Sequence, residues 1–174
     1  MRIYEGSPRQ DFEEVFRSIG AFLDQRGMKE VLLAEAPDGF IVQGLVSTAT
    51  NNWAESVGAI SKETLTFLDD DIARFMEEAV TRRGQGEHQP DAGEAGYYES
   101  AFRVLGRYMD EQKPRDVFFF EQEGSFVLRL LPQGTSPRHV LAEFTPEDIA
   151  DMIKRAPALR YPAAQSGAKT TAGR

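Results

Sequence analysis

Hydrophobic residues recur at helical spacing in two separate stretches of the chain. The first stripe consists of Phe12, Val15, Phe16, Ile19 and Leu23, and the second of Tyr98, Ala101, Phe102, Leu105 and Met109. This spacing predicts two amphipathic helices that each lay one face on a core. Ser7 followed by Pro8 is typical of a helix N-terminus and predicts the start of the first helix.

After each helix the pattern changes to short apolar runs that are typical of β-strands. Strands are predicted at 29–36 and 39–47, and again at 115–122 and 125–131, with short Gly-containing turns that indicate hairpins. The runs Val31-Leu32-Leu33 and Val117-Phe118-Phe119-Phe120 are apolar at consecutive positions. Such runs predict strands covered on both faces, one by helices and the other by the sister half or a partner.

A third strand and a second helix complete each half of the chain. The strands are predicted at 62–68 and 139–144, and the helices begin at Asp69 and at Thr145-Pro146-Glu147-Asp148. Each half therefore has the order α-β-β-β-α, and the fold class is α+β.

The two halves also match each other in sequence. A shift of 86 positions aligns Phe16 with Phe102 and Phe40 with Phe126, and a shift of 77 aligns Phe67 with Phe144, so the first half carries nine extra residues. We expect all six rings to be buried. The match predicts a tandem duplication with pseudo-two-fold symmetry, in which helices pack on antiparallel sheets. Its parts are a first copy at 7–83, a flexible linker at 84–94, a second copy at 95–162 and a disordered tail at 163–174.

Composition narrows the classes of partner. The chain has 20 basic and 28 acidic residues, a formal net charge of −8, and this charge disfavours nucleic acid as a partner. Cysteine is absent, which excludes disulfides and thiolate metal sites. No apolar run has the length of a signal peptide or a membrane span, so we expect a cytoplasmic protein without a membrane partner.

The order α-β-β-β-α is that of double-stranded RNA-binding domains, which place basic groups at the start of the second helix. Here that turn reads Asp69-Asp70-Asp71 in one half and Glu147-Asp148 in the other, which suits the helix dipole and repels phosphate. In element order and acidic charge the chain resembles small α+β chaperones of bacterial secretion systems. That resemblance implies a binding function.

Carboxylates near two turns are the candidates for catalysis. Glu35 and Glu121 end corresponding strands, close to Asp38 and Glu123, and paired carboxylates can serve a metal-dependent hydrolase or a nuclease-like enzyme. The simpler interpretation is that the glutamates end the strands and solvate the turns. Neither a histidine pair nor a phosphate-binding loop occurs, so no cofactor and no metal site is predicted.

Two further features point to packing and to partners. Gly20 and Gly106 lie inside the predicted helices, where glycine is unfavourable, so we expect another helix or strand to approach closely there.

Trp53, with Asn52 and Val57, lies in the extra segment of the first half and is the predicted partner-binding site. The sequence thus favours a non-catalytic protein-interaction, adaptor or chaperone-like module, either a monomer or a homodimer, with the small hydrolase as the alternative.

Overall fold

The structure, a computed structural model, describes residues 12–47, 60–84, 97–134 and 138–156, without the side chains of residue 47 and residues 78–84. The helices and strands follow the order that the sequence predicted. In chain order they are α1 Phe12–Arg26, β1 Met28–Ala36, β2 Gly39–Ser47, β3 Ile60–Leu68, α2 Asp69–Gly84, α3 Tyr97–Gln112, β4 Asp116–Gln122, β5 Ser125–Leu131, β6 Val140–Phe144 and α4 Pro146–Arg155. Both halves have the predicted order α-β-β-β-α.

All six strands form one antiparallel sheet in the order β3-β2-β1-β4-β5-β6. The two halves meet where β1 pairs with β4, and Leu33 lies opposite Phe119 at the centre of that pair. The fold is therefore α+β, as predicted, but the strands of the two halves share a single sheet. The sister half extends the sheet sideways and does not cover its second face.

One face of the sheet carries the helices and the main core. The ring of Phe16 on α1 lies 5.2 Å from that of Phe40 and 5.8 Å from that of Phe119, between centroids. The ring of Phe102 on α3 lies 5.1 Å from that of Phe119 and 6.1 Å from that of Phe126. All five rings are fully buried, which confirms the prediction for the first two pairs of aromatic residues.

The third predicted pair is only partly as expected. Phe67 is buried, whereas Phe144 is half-buried beside the ring of Tyr108, at a centroid distance of 5.0 Å. Phe144 ends β6, which is the shorter of the two edge strands, and so fewer neighbours surround it. The prediction that all six rings are buried is wrong at this position.

Helices α1 and α3 approach each other closely at the two predicted glycines, Gly20 and Gly106. A Cβ atom added to Gly20 would lie 2.6 Å from the carbonyl carbon of Tyr98, and one added to Gly106 would lie 2.6 Å from that of Phe12. Both contacts are with backbone at the start of the other helix. The close approach expected from the sequence is confirmed, and the partner in each case is a helix.

Each of these two helices also caps the other. The carboxylate of Asp24 on α1 accepts hydrogen bonds from the backbone N–H groups of Tyr98, at 3.0 Å, and Glu99, at 2.9 Å. The carboxylate of Asp110 on α3 accepts them from Phe12, at 2.8 Å, and Glu13, at 3.0 Å. These N–H groups have no partner within their own helix, and negative charge at the positive end of a helix is stabilising.

The second helix of each half flanks the first. Phe75 on α2 packs against Phe22 on α1, and α4 begins with the predicted cap, in which the Thr145 hydroxyl accepts from the Asp148 N–H and the Asp148 carboxylate accepts from the Thr145 N–H. Among the helices that the structure describes, none combines the length and the apolar character needed to cross a bilayer.

Candidate interaction surface

The second face of the sheet carries apolar side chains that none of the described helices covers. In an antiparallel sheet, directly paired residues share a face, and neighbours along a strand alternate. The register therefore places on this face a set that we call the second face: Leu32, Ala34, Ala36, Ile41, Leu45, Ile60, Leu68, Phe118, Phe120, Val127, Leu131 and Leu141.

Exposure distinguishes the rim of the second face from its centre. Ile41 and Leu141 are 37% and 71% exposed, whereas Leu32, Phe118 and Phe120 at the centre are half-buried. The rings of Phe118 and Phe120 lie 6.2 Å apart, and the guanidinium of Arg129 stands over the ring of Phe118 at 4.9 Å. Contiguous apolar area with aromatic residues at its centre is typical of a binding surface.

Charges on this face are few and balanced. After the bulge in β1, and in the other five strands, the register places four charged residues on it, namely Lys62, Asp116, Arg129 and Glu143. They sum to zero, while the whole chain carries −8. Lys29, at the bulge, has its ammonium group 5.9 Å from the ring of Tyr98. The second face is therefore electrically neutral in a strongly acidic protein.

The candidate catalytic carboxylates lie at opposite ends of the central strand pair. By the β1–β4 register Glu121 falls opposite Val31 and Glu35 opposite Val117, so four residues, or about 14 Å along the strands, separate them. Asp38 lies at the end that Glu35 occupies, and Glu123 at the end that Glu121 occupies. Within the described ranges no three His, Cys, Asp or Glu residues are grouped so that they can hold a metal ion.

Glu121 lies on the helix-covered face and accepts specific hydrogen bonds. Its carboxylate accepts from the hydroxyl of Tyr98 at 2.5 Å and from the N–H of Val31 at 3.3 Å. Burial and the hydrogen bond to Glu121 raise the pKa of the Tyr98 phenol. The interpretation that this glutamate solvates a turn is wrong, because its carboxylate ties α3 to β1.

Glu35 lies on the same face at the other end of β1. Burial raises the pKa of its carboxyl group, and the negative charge of Asp116 adds to the increase. The residue that corresponds to Tyr98 in the first half is Phe12, which has no hydroxyl to donate. The two glutamates have thus come to lie in different surroundings.

Two ion pairs join α1 to α3 within the core. Arg103 bonds Glu13 at 3.1 Å, and Arg17 bonds Glu99 at 3.1 Å. Arg103 also donates to the carbonyl oxygen of Ala156, at the end of α4, whereas Nη1 of Arg17 is buried and has no hydrogen-bond partner among the described residues. Helix α2 continues to Gly84 and so does not end at the corresponding position. No local pattern in the sequence indicates these pairs, since their partners lie more than 80 residues apart.

The predicted partner-binding residues Trp53, Asn52 and Val57 lie outside the described residues, as do the predicted helix start at Ser7 and the tail at 163–174. Of the predicted linker at 84–94 the structure describes Gly84, which is the last residue of α2. Comparison with protein-family models, with curated proteins and with solved structures found no significant match to this chain. Within the described residues, the candidate functional features are therefore the second face and the carboxylates.

Proposed function

We propose that this chain is a non-catalytic protein-interaction module, of adaptor or chaperone-like kind, and that the second face is its binding surface. The observation that carries the proposal is the set of apolar side chains that the six strands place on the face away from the helices, with Phe118 and Phe120 at its centre. Burial of such area is the main source of affinity between proteins.

The hydrolase alternative has less support. Its four carboxylates divide between two ends of the sheet, and one of them, Glu121, is engaged by Tyr98 and Val31 in a packing role. General acid and base groups must reach the same bond of a substrate, and a separation of about 14 Å along the strands exceeds that reach.

A tandem duplication with pseudo-two-fold symmetry is the second part of the proposal. Pairs of equivalent contacts, related by a shift of 86 residues, support it. Gly20 contacts Tyr98 as Gly106 contacts Phe12, and Asp24 caps α3 as Asp110 caps α1. Under this proposal the two halves stabilise each other through the same contacts made twice, and the second face spans both. A protein partner, the lack of a nucleic-acid partner and a cytoplasmic location remain predictions from the sequence.

Site-specific photo-cross-linking in the native cells tests the proposed surface. A photoreactive phenylalanine analogue is placed at Leu141 in one variant and at Val140 in another. These residues are neighbours on β6 and both are exposed, at 71% and 42%, but they point to opposite faces of the sheet. The matched pair therefore keeps strand, depth and local sequence constant.

We expect adducts of defined mass from position 141 and few from position 140. An adduct of twice the chain mass identifies a second copy, and any other defined mass identifies a different protein. Equal labelling at both positions, or no adduct at position 141, would overturn the assignment of the second face.

A further inference from the structure

We infer that the second face binds the second face of another copy of this chain, so that the protein forms a sheet-on-sheet homodimer. The inference rests on the proposed function and names the partner of the same surface. Two packed antiparallel sheets bury alternate residues of every strand between them, which the second face supplies in Leu32, Ile41, Phe118 and Phe120.

The area fits a stable dimer. Six strands at a spacing of about 4.8 Å give a width of about 29 Å, and seven to nine residues per strand in the four central strands give a length of about 24–31 Å. The product is about 700–900 Å² on each copy. Specific protein interfaces bury about 800 Å² per partner, so the whole face, and no smaller part of it, supplies what such an interface needs.

Charge favours a second copy over a chain of opposite charge. The charges on this face sum to zero, so two copies can meet there without a net charge on either face, although each chain carries −8. Repulsion between the outer charges falls with salt, because the Debye length is about 30 Å at 0.01 M and about 3 Å at 1 M. Self-association should therefore strengthen with salt, whereas binding of a basic partner should weaken.

The sizes of the side chains indicate how the copies face each other. The small residues of the face, Ala34, Ala36 and Gly39, lie on β1 and β2, and Phe118 and Leu131 lie on β4 and β5 in the same rows. A two-fold axis along the strands, between β1 and β4, lays β1 of one copy over β4 of the other and β2 over β5. Ala34 then faces Phe118, and Gly39 faces Leu131.

This arrangement sets Ile41 of one copy over Arg129 of the other, since both lie in the row that contains Ala34 and Phe118. The pair provides a charge-reversal test. In Ile41→Lys, the new ammonium group of each copy faces Arg129 of the other copy, so each dimer gains two repulsions between cations. In the double variant Ile41→Lys with Arg129→Glu, an ion pair replaces each repulsion. Val140→Lys, on the helix side of β6, is the control for an added charge.

Sedimentation equilibrium of the purified full chain measures the result. We expect a dimer whose dissociation constant decreases as the salt concentration rises from about 0.01 M to about 1 M. Ile41→Lys should raise the constant by about 100-fold or more, because each dimer loses two buried apolar side chains and gains two repulsions. Val140→Lys should change it by less than about threefold, and Arg129→Glu should restore most of the loss in Ile41→Lys.

Circular dichroism establishes that each variant is folded. A wild-type chain that stays monomeric at high salt and high concentration overturns the homodimer. In that case the proposed function still stands if position 141 cross-links to a different protein, and it falls if position 141 gives no adduct. A dimer that Ile41→Lys leaves intact overturns the use of the second face, and one that Arg129→Glu fails to rescue overturns the stated orientation.

Discussion

Alanine at Gly20 and at Gly106 tests the packing that holds the two halves together. The new Cβ at residue 20 would lie 2.6 Å from the Tyr98 carbonyl carbon and 2.9 Å from Glu99 Cα, and the corresponding contacts at residue 106 are 2.6 Å and 2.8 Å. All of these atoms belong to backbone at the start of a helix, which no side-chain rotation can move away. The helices must therefore separate.

The magnitude follows from two opposing effects. Alanine gains about 1 kcal/mol over glycine in a helix interior, while overpacking of a close-packed core costs about 1–3 kcal/mol or more. Since the obstructing atoms are backbone, we expect the cost to lie at or above the upper end of that range. The net loss of unfolding free energy should be about 2 kcal/mol for each variant, and about equal for the two because their contacts match.

Urea denaturation of the two single variants and the double variant measures these losses. The double variant should lose less unfolding free energy than the sum of the two single variants, because separation of the helices at one glycine also relieves the contact at the other. Ser18→Ala, at a half-buried position of α1 whose hydroxyl bonds only the Glu14 carbonyl among the contacts described, is the control and should stay within about 0.5 kcal/mol. Unchanged or increased stability of Gly20→Ala would refute the packing argument.

Two further predictions concern the polar contacts between the helices, and a third concerns the carboxyl group of Glu35 on β1. Asp24→Ala should cost about 1–3 kcal/mol, because two N–H groups of α3 lose their acceptor, and Asp24→Asn should cost less; equal losses in urea denaturation would contradict the capping role. Arg103→Met should destabilise more than Arg17→Met, because only the first arginine also bonds a helix end; the reverse order in thermal melting would exclude this explanation. The pKa of Glu35 is raised on folding, so the native chain loses stability as the pH rises through the folded pKa and the carboxyl group ionises. Glu35→Gln should therefore be more stable than the native chain at neutral pH and no more stable below the ordinary pKa of 4.5. A gain in stability that persists in acid would contradict burial as its cause.

Local signals in the sequence were sufficient for the elements and for the core. Helical stripes predicted α1 and α3, two-residue hairpins fixed the bounds of β2 and β5, and the Thr145 cap marked the start of α4. Glycine inside a helix correctly indicated close approach, because only a nearby backbone repays its conformational cost.

Contacts between distant parts of the chain could not be read from local pattern. The pairing of β1 with β4 decides that the sheet is single and that one face is left to the second-face residues, and consecutive apolar residues such as Phe118 to Phe120 are compatible with either outcome. The surroundings of Glu121 likewise depend on Tyr98, from a different element. Strand-end position alone therefore suggested a solvated or catalytic carboxylate where the fold uses a partly buried hydrogen bond.

Hydroxyl-radical footprinting of the second face, in cells and in dilute purified protein, tests the central claim most directly. Phe118 and Phe120 are half-buried in the single chain and are open to oxidation when the face is free, while Tyr97, 43% exposed at the start of α3 on the helix side, is an internal reference. If the second face is a protein-binding surface, oxidation of both phenylalanines relative to Tyr97 should fall severalfold in cells and recover on dilution of the purified chain. Equal relative oxidation of Phe118 and Phe120 in both settings would contradict that account.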